Sequence, residues 1–208
     1  MIDLLNDCGF DEWSKDYESD VNESYNNKTF PFDGYYDVLA RVLEHIKPNS
    51  KVLDVGFGTG VLTERISNLD CEIFGIDFST NMTDIAKRKM PQGRFFECDF
   101  NNDLPEEILQ EKYDHIIATY SLHHVDDSRK IELIETFESL LRDKGNIVIG
   151  DIMFGTEQEL LDCKNEREDY EEEYYIIFDT FVSKLPKKAF TTRFEKMGKF
   201  AGVLIIEK

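Results

Sequence analysis

No run of about 18 apolar residues occurs anywhere in this chain, so none of it reads as a membrane-spanning helix. The N-terminus is acidic and lacks the basic start of a secretory signal. Cysteine is scarce: Cys8, Cys71, Cys98 and Cys163 are scattered, with no C-x-x-C pair, which leaves no disulfide or cysteine-based metal framework and suits reduced thiols in a cytosol. Positive charge is in short supply too. Lys and Arg number 24 against 43 Asp and Glu, a formal charge of −19 that opposes DNA, RNA or anionic membrane as a principal partner. Only five prolines occur, and there is no repeat, low-complexity linker or composition break to mark a domain boundary. The expectation is one cytoplasmic domain over residues 1–208, monomer or homodimer, that handles a small molecule.

What is present supports a folded core: 208 residues, 41% hydrophobic, with 16 Phe and 9 Tyr. Residues 1–47 read as N-terminal helices. Phe10, Trp13 and Tyr17 share one helical face, and Tyr35–Lys47 carries a stripe of Tyr35, Val38, Leu39, Val42, Leu43 and Ile46 that ends at Pro48. Strand and helix patterns then alternate: strands at Lys51–Val55, Glu72–Asp77, Arg94–Cys98, Tyr113–Thr119 and Asn146–Asp151, with helices at about Val61–Asn68, Ser79–Met90, Glu106–Gln110 and Ser128–Arg142. This alternation predicts βαβ units and a largely parallel sheet, an α/β fold. Glu157–Lys184 reads as two helical stretches, the core of a helical cover over residues 156–184. Lys188–Lys196 and Phe200–Glu207 read as an antiparallel hairpin, because their short connection leaves no room for a crossover.

The first strand ends in Val52-Leu-Asp-Val-Gly-Phe-Gly-Thr-Gly60. Glycines at 56, 58 and 60 allow positive φ and a close backbone approach, and the helix that follows directs free N–H groups at whatever fills the turn. A dinucleotide, a nucleoside triphosphate and S-adenosylmethionine are the candidate ligands. The dinucleotide fingerprint G-x-G-x-x-G would need glycine at position 61, where Val61 stands, and no lysine follows Gly60 as a P-loop requires. What remains is D-x-G-x-G-x-G, the pattern suited to S-adenosylmethionine. Asp77 ends the second strand about 20 residues on, where a carboxylate can accept both ribose hydroxyls. Asp99 and Phe100 end the third, a carboxylate and a ring able to hold an adenine by its amine and its face.

With these motifs in this order, the chain resembles the class I S-adenosylmethionine-dependent methyltransferases over nearly its whole length. FDEWSKDYE at 10–18, ATYSLHHVDD at 118–127 and the tyrosine-rich stretch near Glu173–Tyr175 further resemble a small bacterial group, the YrrT type. The resemblance implies a three-layer Rossmann-like fold with a seven-stranded mixed sheet, order 3-2-1-4-5-7-6 and the last strand antiparallel, and an N-terminal helical lid. It implies S-adenosylmethionine as methyl donor, S-adenosylhomocysteine as product, and a small-molecule acceptor. Asp54, Gly56, Phe57, Gly58, Thr59 and Gly60 would meet the methionine part, with Asp54 near the ammonium. Asp77, Phe78, Ser79, Met82, Asp99 and Phe100 would surround the nucleoside, although Ser79 is also the best-placed helix cap. Thr119 and Tyr120 would lie near the sulfonium.

Candidate catalytic residues are His123, His124 and Tyr17. Either histidine ring can orient an acceptor or take its proton; adjacent histidines point differently, so one is expected in the crevice and one in the packing. A two-histidine metal site lacks a third ligand at useful sequence spacing, so no metal is expected. Tyr17 and Trp13 read as a lid or as a hydrophobic clamp, and Asp151 as an acceptor-site residue or a helix cap. His45 and His115 read as structural. The D/N-P-P-F/Y motif of DNA amino-methyltransferases and the double-glutamate loop of protein-arginine methyltransferases are missing. Rival readings are a non-catalytic binder of the same cofactor and, from Asp126-Asp127, an aminopropyl transferase.

Overall fold

The computed structural model describes residues 17–166, 173–186 and 191–208. It opens with helices α1 (Tyr17–Asn27) and α2 (Tyr35–Glu44). Ser24 in α1 is the local organiser: its Oγ donates to Thr29 O at 2.7 Å and accepts from Phe32 N at 3.0 Å, closing the turn between the helices. Tyr25 and Tyr36 meet edge-on at 5.0 Å. Phe10 and Trp13 lie outside the described residues, and Tyr17 is the first residue of α1.

The body follows as β1 (Lys51–Val55), α3 (Val61–Ser67), β2 (Glu72–Asp77), α4 (Thr80–Lys89), β3 (Arg94–Glu97), α5 (Glu106–Leu109), β4 (Tyr113–Thr119), a 3-10 turn (Leu122–His124), α6 (Asp127–Leu140), β5 (Leu141–Phe154), α7 (Glu157–Glu166), β6 (Ile176–Ile177), α8 (Phe178–Lys184), β7 (Thr191–Lys196) and β8 (Ala201–Glu207). Capping is local and legible: Ser79 Oγ accepts from Met82 N, and Asp126 accepts from Ser128 N and Arg129 N.

The strand order is β3-β2-β1-β4-β5-β8-β7, with β8 antiparallel to both neighbours. This is the expected seven-strand order with one addition. The described residues form eight strands, because β6 pairs in parallel with Met153 and Phe154 at the far end of β5. The stretch expected as two helices therefore contains a strand between them. β5 itself runs from Leu141 to Phe154, beyond the predicted Asn146–Asp151, with an irregularity opposite Tyr113 and His115. Its continuous apolar run lets it keep pairing past Asp151.

Strand residues alternate between two cores, as a sheet covered on both faces requires. Val52, Ile73, Ile117 and Val148 face one core with Val38, Val42, Leu62 and Ile66 from the helices. Leu53, Phe74, Ile116 and Ile147 face the other, with Ile134 and Phe137 of α6. At the amino end of the parallel strands, His115 Nε2 accepts from Lys47 N at 3.1 Å and its Nδ1 meets Asn146 Oδ1 at 2.7 Å. Burial lowers its pKa, and this neutral ring locks α2 to the sheet.

Candidate active site

The carboxyl end of β1 turns sharply through glycines with positive φ, +75° at Gly56 and +54° at Gly58. The two serve different ends. A Cβ on Gly56 would stand 2.3 Å from Ser121 Cβ, so its absence admits the loop after β4. A Cβ on Gly58 would meet nothing within 4 Å, which leaves an open face on the turn. Ser121 completes the junction by donating from Oγ to Val55 O at 2.8 Å.

Two carboxylates frame the turn. Asp77 accepts from Gly58 N at 2.8 Å through Oδ2 and from Ser79 N at 3.0 Å through Oδ1. It is thus an anchor of the glycine turn. Asp54 is buried; its Oδ2 accepts from Thr63 Oγ1 at 2.7 Å, while Oδ1 has no hydrogen-bond partner among the described residues. Burial pushes its pKa up to about 7, eased by Thr63 and reinforced by Asp77. A buried carboxylate oxygen lacking a donor, beside an open backbone turn, is suited to a cationic group such as a ligand ammonium.

The remaining candidates distribute unevenly. Phe57 packs edge-on against Phe95 at 5.1 Å and above Gly75, so its side chain belongs to the core and only its backbone serves the turn. Met82 is buried in the same core and Ser79 is occupied as a cap. Thr59 is buried, its carbonyl accepting from Lys89 Nζ. Phe78 is half-buried after β2. Phe100 lies against the glycine turn, its ring 3.6 Å from the position of a Gly56 Cβ. Asp99 is turned onto its own loop, where it accepts from Asn101 N and from the Asn101 and Asn102 amides. Thr119 is half-buried at the end of β4. Tyr120 follows with φ +50°, packs on Tyr35 at 4.9 Å and Phe32 at 5.5 Å, and buries a hydroxyl that has no hydrogen-bond partner among the described residues.

The histidine pair differs most from the sequence reading. His123 is buried, and its Nδ1 meets Asp151 Oδ1 at 2.6 Å. Asp151 also accepts from Leu122 N, His123 N and Ile152 N. It therefore binds the 3-10 turn and the ring together, rather than capping a helix. Glu173 comes from the segment before β6 to stand 3.1 Å from His124 Nδ1 and 3.7 Å from His123 Nε2. Both rings thus meet one carboxylate, and the third group judged absent from sequence spacing is supplied by a distant segment. Burial presses the His123 pKa down, but Asp151 and Glu173 overcome it and the net movement is upward. For His124, burial and the neighbouring His123 leave the pKa lowered. Burial raises Glu173, but the two rings bring it below its ordinary value. Asp126 and Asp127 are used locally, the first as the α6 cap and the second against Lys130 and Lys184.

Comparison with known proteins agrees with this geometry. The family model described as a methyltransferase domain matches residues 52–145. An uncharacterised methyltransferase of Oceanobacillus iheyensis is 33% identical over 96% of this chain and 95% of its own. The uncharacterised methyltransferase YrrT of Halobacillus halophilus is 28% identical, with the same coverage of 96% and 95%. Among solved structures, magnesium protoporphyrin IX methyltransferase from Synechocystis PCC 6803 with bound SAM matches at a TM-score of 0.68 and 18% identity, covering 99% of this chain and 94% of that one. A DhpI–SAM–HEP complex matches at 0.66 and 17%, covering 96% and 98%. The two structures support the fold, and the Oceanobacillus relative carries the family. The chain belongs to the class I S-adenosylmethionine-dependent methyltransferases, alongside the YrrT-type bacterial proteins.

Proposed function

We propose that this protein binds S-adenosylmethionine at the glycine turn and transfers its methyl group to a small-molecule acceptor in the cytoplasm. The observation that carries the reading is the buried Asp54 oxygen without a donor among the described residues, set beside the open face at Gly58. Asp54 would face the ammonium, the Gly56–Gly60 backbone the methionine part, and Asp77 the ribose. S-adenosylmethionine supplies a methyl carbon made electrophilic by its sulfonium, with a neutral thioether as leaving group. The chain's task is then to hold an acceptor in line and to exclude water, effects that account for much of the rate in such transfers. Tyr120, Ser121 and the His123–His124 pair follow β4 and are the acceptor-side residues of this reading. Asp151 fixes the His123 ring on the acceptor side of this reading.

The test is incubation with methyl-labelled S-adenosylmethionine and a pool of small thiols, amines, phenols and carboxylates. Labelled product is the expected outcome. Tight cofactor binding with no label in any class would favour a non-catalytic binder, and absence of binding would overturn the reading altogether.

A further inference from the structure

We propose that His123 Nε2, His124 Nδ1 and Glu173 form a site for a divalent first-row metal, zinc foremost, with one coordination position left open. The three ligand atoms lie within 4.8 Å of one another. A tetrahedral ion with bonds of roughly 2.0–2.2 Å needs its ligand atoms about 3.3–3.6 Å apart. Small side-chain adjustments close that difference. Two imidazoles and a carboxylate form a borderline donor set, which selects zinc-like ions over calcium or magnesium.

The surroundings are those of a ligand set. Asp151 can only accept, so the close contact at 2.6 Å makes His123 Nδ1 the donor and leaves Nε2 as the coordinating nitrogen. Asp151 in turn is fixed by backbone N–H groups from Leu122, His123 and Ile152. A carboxylate that orients a histidine whose other nitrogen faces the ion is the usual outer-shell arrangement around protein-bound metals.

The third ligand is held independently of any ion. Tyr174 N donates to His123 O at 2.9 Å, and Tyr174 O accepts from the buried Lys130 Nζ. The next residues enter β6 against Met153 and Phe154, immediately beyond Asp151. The added strand therefore places Glu173 against the histidines. The side chains of His124 and Glu173 keep 25% and 19% exposure, enough for an ion to enter and for a fourth ligand to bind. Under the methyl-transfer reading above, that fourth ligand is the acceptor's thiol or hydroxyl, bound as the anion with its proton released to water. This consequence rests on that reading; the metal site does not.

The experiment uses the full chain after chelator treatment and dialysis. Zinc is titrated in competition with a chromophoric chelator, and cobalt(II) is titrated while its visible absorption is followed. One equivalent of each should bind, and bound cobalt should show the intense bands of a low-coordinate site. Glu173→Gln and His124→Ala should each weaken zinc about 100-fold or more, and Asp151→Asn, acting through His123, about 10–100-fold. Circular dichroism and S-adenosylmethionine calorimetry on the same samples separate loss of the ligand set from loss of the fold or of the cofactor site. Absence of stoichiometric zinc binding in the folded wild type, or equal zinc affinity in wild type and folded Glu173→Gln, would overturn the proposal.

Discussion

Asp54 makes a prediction that needs neither acceptor nor catalysis. Its pKa stands at about 7 in the fold against an ordinary 3.8, because burial penalises the ion and Thr63 is its only hydrogen-bond donor among the described residues. Between those two pH values the unfolded chain has lost the proton while the native state keeps it. Stability therefore falls as pH rises through that window; the penalty is fully present above about 7 and absent below about 4. At roughly 1.4 kcal/mol per pH unit, the full penalty is about 4 kcal/mol. Asp54→Asn keeps an oxygen for Thr63 and removes the titration, at a pH-independent cost of about 1–3 kcal/mol for a buried amide without an acceptor. Urea unfolding of both cofactor-free proteins at several pH values isolates the effect, since other carboxylates cancel in the difference. The stability of the variant relative to wild type should rise by about 3 kcal/mol between pH 4.5 and 8. A difference that stays flat across that range would refute the assignment. The cofactor reading adds a companion result: if an ammonium docks on ionised Asp54, wild-type affinity for S-adenosylmethionine should be about tenfold weaker at pH 6 than at pH 8. The variant should bind weakly with no such slope.

Three further outcomes follow from contacts already described. Asp77→Ala removes the acceptor for Gly58 N and Ser79 N, and should lower stability by about 1–3 kcal/mol while abolishing measurable S-adenosylmethionine binding in calorimetry; unchanged affinity would refute the ribose assignment. Gly56→Ala puts a methyl at positive φ and against Ser121, so urea unfolding should show a loss of about 2–3 kcal/mol. Arg41 grips Glu195 through Nε and Nη2, joining α2 to β7 in a partly exposed setting. Arg41→Ala should cost only about 0.5–1 kcal/mol, and less at high salt, in thermal unfolding at two ionic strengths.

Local chemistry determined much of this protein in advance. Strand and helix periods, the hairpin spacing and the glycines at 56, 58 and 60 depend on neighbours within a few residues, and they marked the βαβ alternation and the antiparallel hairpin; the order of the strands followed from the family resemblance. The positions of Asp54 and Asp77 beside the turn were legible for the same reason, because a residue at the end of a parallel strand is placed by the strand itself. Side-chain direction was not. Phe57 turned into the core because Gly75 leaves room for its ring, and Asp99 turned onto its own loop, where it accepts from the amides of Asn101 and Asn102. β6 is two residues long, too short to show a period, and exists only because β5 runs on to offer Met153 and Phe154 as partners. That pairing brings Glu173 to His123 and His124. Sequence spacing finds ligands carried on one element; here the third comes from a segment placed by a sheet edge. The glycine turn was therefore readable from the sequence, while the histidine–glutamate cluster was decided by tertiary structure alone.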